Sequence, residues 1–271
     1  MDNNKPSQHI LKIAATLGIA TGLIAVAPAA IGQQNSPTLV TQATKTEITQ
    51  LNQQIDRLYQ QGKYDKAIPL AQQVLAIRQG QLGNQHPTTA ISLNTLAILH
   101  ASQGSYKEAE PLFIQAFNIR KQAFGADHPA AINTLASLAR LYSFQGRYGE
   151  AESLFLQTLD VNRRVSGPNH PATVSSLNNL AELYRSQGRY KEAESFFRQA
   201  LDINKRVFGA DHPDTASSLN NLALLRKSQG NREEAESLYR QALKIVERSL
   251  GTDHPTTVTI RNNLERLRTV Q

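Results

Sequence analysis

Five histidines, each followed by a proline, are the residues of this chain whose type most suggests chemistry. They are His86, His128, His170, His212 and His254, and they recur every 42 residues. Imidazole is a common metal ligand and general base. A strict period, however, places each copy in its own structural unit, and packed helices lie about 10 Å apart whereas a zinc–nitrogen bond is about 2 Å long. We therefore predict that these histidines shape turns between units and neither bind a metal nor catalyse a reaction.

Other catalytic arrangements are missing from the sequence. The chain has no Cys, which excludes thiolate catalysis, disulfides and cysteine-based zinc sites. It also lacks the glycine-rich phosphate loop, the dinucleotide-binding glycine pattern, the serine nucleophile turn and the paired histidines of zinc peptidases. The sequence therefore predicts a protein that is not an enzyme and that needs no cofactor.

The same 42-residue period appears in a second landmark, the glycine of a Gln-Gly pair. Two independent landmarks in one register indicate an array of repeats, whose function lies on an extended surface and not in the pocket of a single core. The glycines are Gly62, Gly104, Gly146, Gly188 and Gly230.

Each repeat has the pattern of two helices. In the unit that begins at Asp211, Pro213 suits a first helical turn, and either Asp211 or His212 can cap it. Gly230 ends this first helix, because glycine tolerates the positive φ of a helix C-cap. Acidic Glu233 then follows near the positive end of the second helix.

Apolar residues occur at helical spacing in both helices of a repeat. Small alanines beside leucines or aromatic residues allow the two helices to approach closely, and the apolar surface left over must be covered by the next repeat. In one repeat the residues are Leu177, Leu180, Ala181 and Tyr184 in the first helix, and Ala193, Phe197 and Ala200 in the second.

This pattern, Leu-x-x-Leu-Ala-x-x-Tyr followed by Ala-x-x-x-Phe-x-x-Ala, resembles the tetratricopeptide repeat. The 178–194 stretch and the Phe-Gly-Ala-Asp-His-Pro of 208–213 look like the longer repeats of kinesin light chains and of their bacterial relatives. The resemblance covers residues 47–271. It implies an all-α fold, a right-handed superhelical solenoid of five antiparallel helix hairpins plus a C-terminal capping helix. The heptad coiled coil of kinesin light chains is missing, so the resemblance implies a general interaction module and not motor binding.

In tetratricopeptide proteins, the side of each first helix opposite its Leu-Ala stripe lines a concave groove that holds peptides, so the resemblance implies the same here. Three asparagines recur on this face, and a carboxamide can both donate to and accept from a peptide backbone. Arginines there suggest an acidic protein or peptide partner, although Glu182 argues against a uniformly basic groove. The predicted partner-binding residues are Thr95, Ser137, Arg140, Phe144, Asn179, Asn221, Asn263 and Arg266, flanked by Arg185 and Lys227.

Two alternatives remain open at this point. The asparagines can instead hydrogen-bond to neighbouring helices. The protein can also be a structural scaffold that bridges components of a cell-envelope complex through its outer, convex face. Nucleic acid is not an expected partner: the net charge is +7, but lysines and arginines alternate with glutamates along every repeat and form no basic block.

The N-terminus resembles an export signal. Lys5 and Lys12 precede an apolar run over 13–27, and small residues allow cleavage after Ala29 or Gly32. We therefore predict a signal peptide over 1–32, a flexible polar linker over 33–46 and an exported protein, periplasmic or secreted. The alternative is an uncleaved membrane anchor, which the apolar run is short to provide, since a spanning helix needs about 20 residues.

Overall fold

The computed structural model describes residues 42–269, which fold into eleven helices. They divide into two compact units, one ending at Leu141 and the other beginning at Tyr142, called here the N-terminal and C-terminal units. The helices are α1 Gln42–Gln60, α2 Tyr64–Leu82, α3 Pro87–Gln103, α4 Tyr106–Phe124, α5 Pro129–Phe144, α6 Tyr148–Val165, α7 Pro171–Ser186, α8 Tyr190–Phe208, α9 Pro213–Ser228, α10 Arg232–Leu250 and α11 Pro255–Thr269.

The His-Pro pairs start the first helix of each repeat. In all five, Nδ1 of the histidine accepts a hydrogen bond from the backbone N–H two residues later, at 3.1–3.2 Å. The imidazole thus satisfies an amide that has no partner within the helix, and the proline has no amide to satisfy. Of the two capping residues considered for α9, the structure selects His212, because Asp211 instead pairs with Arg248 at 2.8 Å. The turn-shaping role predicted for the histidines is confirmed.

Glycines with positive φ separate consecutive helices. Gly188, with φ of +72°, lies between the two helices of one hairpin, as the Gln-Gly pattern predicts. A second series, represented by Gly209 with φ of +95°, ends the second helix of each repeat. Any other residue at either position would need a backbone with positive φ, which L-residues rarely adopt.

The stripes predicted from helical spacing form the core. In the hairpin of α7 and α8, Ala181, Ala193 and Ala200 are completely buried, and Phe197 is 2 % exposed between them. Methyl-sized side chains at the closest approach leave room for the ring of Phe197, so the two helices of the hairpin can pack closely around it. Within each unit, consecutive helices pack against one another.

Charged side chains close the C-terminal end of the array. On α11, Arg261 pairs with Glu247 at 2.9 Å, at a position where internal repeats have leucine. Arg268 pairs with Glu236 at 2.8 Å, at a position of mixed type that is Tyr184 or Arg226 in the two preceding repeats. A polar outer side is what a terminal helix requires, since no further repeat covers it.

The beginning of the array lies earlier than the sequence indicates. Helix α1 starts at Gln42, so residues 42–46, which we assign to the linker because of their polarity, form its first turn. Lys45 and Thr46 are exposed there, which explains why they carry no apolar signal. The signal peptide predicted over 1–32 and the rest of the linker lie outside the described residues. Among residues 42–269, no helix combines the length and hydropathy needed to cross a bilayer.

Candidate partner-binding face

The first helices of the C-terminal unit, α7, α9 and α11, are linked side by side through polar side chains. Arg185 on α7 donates to the hydroxyl of Ser228 on α9 at 2.8 Å. Asn263 on α11 donates from Nδ2 to Oδ1 of Asn220 on α9 at 3.0 Å. These contacts hold the first helices of three repeats side by side. We call the surface that carries their predicted groove residues the first-helix face; these residues are Asn179, Arg185, Asn221, Lys227, Asn263 and Arg266.

The asparagines on this face differ in their environment. Asn179 is half-buried, whereas Asn221 is only 7 % exposed. Asn263 uses one amide donor on Asn220, which favours the alternative of inter-helix hydrogen bonding at this step. At the preceding step, Oδ1 of Asn178 is buried and has no hydrogen-bond partner among the described residues. Part of the asparagine series therefore holds helices together, and Asn179 is the member best placed to meet a ligand.

Two of the three cationic residues of the face are exposed. Arg185 is 14 % exposed and forms an ion pair with Glu182 at 2.5 Å, so its charge is already balanced. Lys227 and Arg266 are exposed, and neither forms an ion pair among residues 45–269. Burial lowers the pKa of Lys227, and the neighbouring charges of Arg266 and Arg232 lower it further. The end of the face formed by α9 and α11 thus holds crowded positive charge.

The predicted partner-binding residues on α3 and α5 lie in a less polar environment. Thr95 and Ser137 are half-buried, and the Ser137 hydroxyl donates to the carbonyl of Asn133, one turn earlier, at 3.0 Å. Arg140 is half-buried too, and burial lowers its pKa while nearby Tyr59 acts in the opposite direction. Near the end of α5, where the C-terminal unit begins, Phe144 is 38 % exposed. These two helices therefore offer a ligand the apolar ring of Phe144 and the partly desolvated charge of Arg140, and few free hydrogen-bonding groups.

One set of polar residues that positions the first helices is not predicted from the sequence. In the second helices α2, α4, α6 and α8, one side chain donates both to a backbone carbonyl in the first turn of the following first helix and to a hydroxyl four residues further on. Arg120 is one of them, and burial lowers its pKa to about 10. The signal in the sequence is a hydrogen-bond donor at one register position, although its type changes. The donors are Arg78, Arg120, Asn162 and Asn204.

The described residues show no grouping that would hold a metal. Among residues 45–269, no three His, Asp or Glu side chains lie close enough together to bind one ion. In each capping histidine, Nδ1 accepts a hydrogen bond from a backbone amide. Only Nε2 could then bind a metal, and each repeat supplies a single one.

Comparisons with known proteins agree with this architecture. The family model of the tetratricopeptide repeat matches residues 51–122, 88–163, 144–206, 178–248 and 214–269. No curated protein sequence matches the chain. Among solved structures, a variant of nearly identical TPR-like repeats from Podosopora anserina, named as a kinesin light chain, is 26 % identical with a TM-score of 0.62, covering 80 % of this chain and 99 % of that one. A second structure of those repeats is 26 % identical with a TM-score of 0.60, covering 77 % and 97 %.

Two more distant structures share the fold alone. BtubC from P. vanneervenii is 20 % identical with a TM-score of 0.52, covering 80 % of this chain and 91 % of that one. The apo form of RapI is 14 % identical with a TM-score of 0.58, covering 82 % and 84 %. The predicted all-α fold and the likeness to kinesin-light-chain repeats are confirmed. Repeats of this kind form protein–protein interaction modules, and the chain belongs to the tetratricopeptide repeat family.

Proposed function

We propose that this protein binds an acidic peptide segment of a partner protein on the first-helix face of its C-terminal unit and catalyses no reaction. The observation that carries the proposal is the crowding of Lys227 and Arg266, which have no ion-pair partner among residues 45–269. Like charges held close together are unfavourable, and an anionic ligand relieves this repulsion. Arg185 and Asn179 extend the same surface across α7.

An extended peptide suits the spacing of these groups. The cations and the half-buried Asn179 lie on successive first helices, so one strand of backbone can reach several of them. The Asn179 carboxamide offers a donor and an acceptor to peptide groups, while acidic side chains meet Lys227 and Arg266. Opposite charge also accelerates association, and this advantage falls as salt rises.

The test is capture of partners by the purified chain, followed by mapping of the contacts. Replacing Lys227 and Arg266 together with Ala should weaken the captured partner roughly tenfold or more at low salt, since charge-assisted hydrogen bonds contribute about 1.5–3 kcal/mol each. The matched control replaces Lys191 and Arg240, exposed cations of the second helices α8 and α10, so that the change in net charge is the same. If the control weakens binding and the Lys227/Arg266 variant does not, the proposal is wrong.

That outcome would favour the second candidate function, a scaffold that bridges components of a cell-envelope complex through its second helices. The observation in its favour is exposed apolar surface in the C-terminal unit: Leu156 is 44 % exposed, Val165 51 % and Val207 46 %. Apolar side chains set among polar ones often mark a contact surface.

We also propose that the protein is exported. Support comes from the sequence of residues 1–32, with its basic start, apolar run and small residues before the expected cleavage. A partner would then be another exported or envelope protein.

A further inference from the structure

Glu182 on α7 holds Arg185 with both of its carboxylate oxygens. Nε of Arg185 donates to one oxygen at 2.8 Å, and Nη2 donates to the other at 2.5 Å. The third nitrogen, Nη1, donates to the hydroxyl of Ser228 on α9 at 2.8 Å. This is the two-pronged geometry by which an arginine recognises a carboxylate. Glu182 therefore occupies the place on Arg185 that an acidic side chain of a ligand would take.

The pair lies on the first-helix face, within reach of solvent. The side chain of Arg185 is 14 % exposed and that of Glu182 is 24 % exposed. Half-buried Asn179 lies one turn earlier on the same helix. A carboxylate brought to this step of the face would come close to Glu182, and like charges repel strongly where water is partly excluded.

The next repeat lacks this internal carboxylate. The residue of α9 equivalent to Glu182, 42 positions later, is Leu224. Lys227, which is equivalent to Arg185, therefore has no acidic residue one turn before it. It is exposed, forms no ion pair within residues 45–269, and lies near the charge of Arg266 on α11. The positive charge of the face is thus available at α9 and α11 and is cancelled at α7.

We propose that Glu182 is a specificity-determining residue of the first-helix face, which excludes acidic side chains at α7 and confines them to α9 and α11. This inference rests on the proposed binding of an acidic peptide segment. Packed helices lie about 10 Å apart and an extended segment rises about 3.3 Å per residue, so one step of the face spans about three residues. The preferred partner segment carries acidic residues over α9 and α11 and an uncharged polar residue about three positions further along, over α7.

Two seven-residue peptides test the proposal on the full chain, one with Asp at positions 1 and 4 and one with Asp at positions 1, 4 and 7. Ser and Gly fill the other positions, and NMR titration measures their affinities. The parent protein should bind the three-Asp peptide no more tightly than the two-Asp peptide. In Glu182→Gln, Arg185 is released, and the three-Asp peptide should bind about tenfold more tightly, since it forms a new charge-assisted hydrogen bond.

Glu192→Gln is the matched control. Glu192 forms an ion pair with Arg189 at 3.0 Å and with the same three-residue spacing, at the start of the second helix α8. The control removes one negative charge, as Glu182→Gln does, and it should leave the ratio of the two affinities at the parent value. If Glu182 only braces the helices, Glu182→Gln will lower the melting temperature and leave that ratio unchanged, which would overturn the proposal.

The converse change, Leu224→Glu, tests the proposal even if Glu182→Gln does not fold. It places a carboxylate three residues before Lys227, as in the preceding repeat. The two-Asp peptide should bind about tenfold more weakly to it than to the uncharged control Leu224→Gln, with a smaller difference at high salt. Equal affinities of these two variants would overturn the proposal.

The proposed function can fail separately from this inference. If the parent binds neither peptide, the acidic-ligand function is wrong and the role of Glu182 falls with it. If the parent binds the two-Asp peptide, and the double variant Lys227→Ala, Arg266→Ala binds it weakly, the function stands. An unchanged peptide preference in Glu182→Gln would then overturn the role of Glu182 alone.

Discussion

Tyr239 on α10 offers a direct test of how the hairpin core is packed. Its side chain is completely buried, and its hydroxyl has no hydrogen-bond partner among the described residues. The equivalent residues of the three preceding second helices, α4, α6 and α8, are phenylalanines: Phe113, Phe155 and Phe197, each 2 % exposed. Burial raises the pKa of Tyr239, and the charge of Arg185 acts against this rise. The site thus accepts a ring and gives the hydroxyl nothing to bond with.

Replacing Tyr239 with Phe should therefore stabilise the protein. The ring and its contacts stay, while an unsatisfied buried polar group, which costs about 1–3 kcal/mol, is removed. Allowing for the small gap left by the oxygen atom, we expect the free energy of unfolding to rise by about 1–2 kcal/mol. For a chain of this size, that corresponds to an increase of roughly 2–8 °C in melting temperature.

Urea unfolding followed by circular dichroism measures this difference, provided that the slope of the transition is unchanged. Phe197→Tyr is the matched control, because it introduces the same hydroxyl at the equivalent buried position of α8 and should lower stability by a similar amount. A lower unfolding free energy for Tyr239→Phe would refute the reasoning, since it would mean that the hydroxyl has a stabilising partner.

Three further predictions concern the turns, the repeats and the N-terminus. His86 accepts a backbone hydrogen bond through its neutral Nδ1, and burial lowers its pKa. Its contribution to stability is therefore present above about pH 6.5 and is lost as pH falls. Relative to His86→Asn, a cap that does not titrate, the parent should lose about 1 kcal/mol of unfolding free energy between pH 8 and pH 5. Deleting residues 171–212, one full period, should leave a shorter helical protein that melts cooperatively, whereas deleting 171–200 should not; equal tolerance of both deletions would contradict the repeat packing. Mass analysis of the exported protein should find a mature N-terminus near Ala30 or Gln33, and an intact chain in the cytosol would show the export hypothesis to be wrong.

The helices can be predicted well from the sequence because the strict period allows the pattern of one repeat to be checked at the equivalent positions of the others. The His-Pro pairs and the glycines are local signals, set by capping and by positive φ, and they do not depend on what packs nearby. The Leu-Ala stripes likewise depend only on helical spacing. The start of α1 is the exception, since residues 42–46 of its first turn have no periodic apolar pattern.

The candidate site is less predictable, because its properties depend on contacts between repeats. Helical spacing places Asn179 and Asn221 on one face, but it does not show that Asn221 is buried and Asn179 is not. Nor does it show that Arg185 is neutralised by Glu182, or that Lys227 lies near Arg266. Such pairings require the distance between neighbouring helices, which a single repeat does not contain.

The donors that join each second helix to the next first helix bear on how such an array evolves. Arg78 and Arg120 fill this position early in the chain, whereas Asn162 and Asn204 fill it later. The space for a guanidinium differs from the space for a carboxamide. We therefore expect a hairpin to be duplicated beside itself more easily than to be exchanged between the early part of the chain, with its arginines, and the later part, with its asparagines. These donors are thus expected to limit which hairpins of the array can follow one another, although their helices have similar lengths.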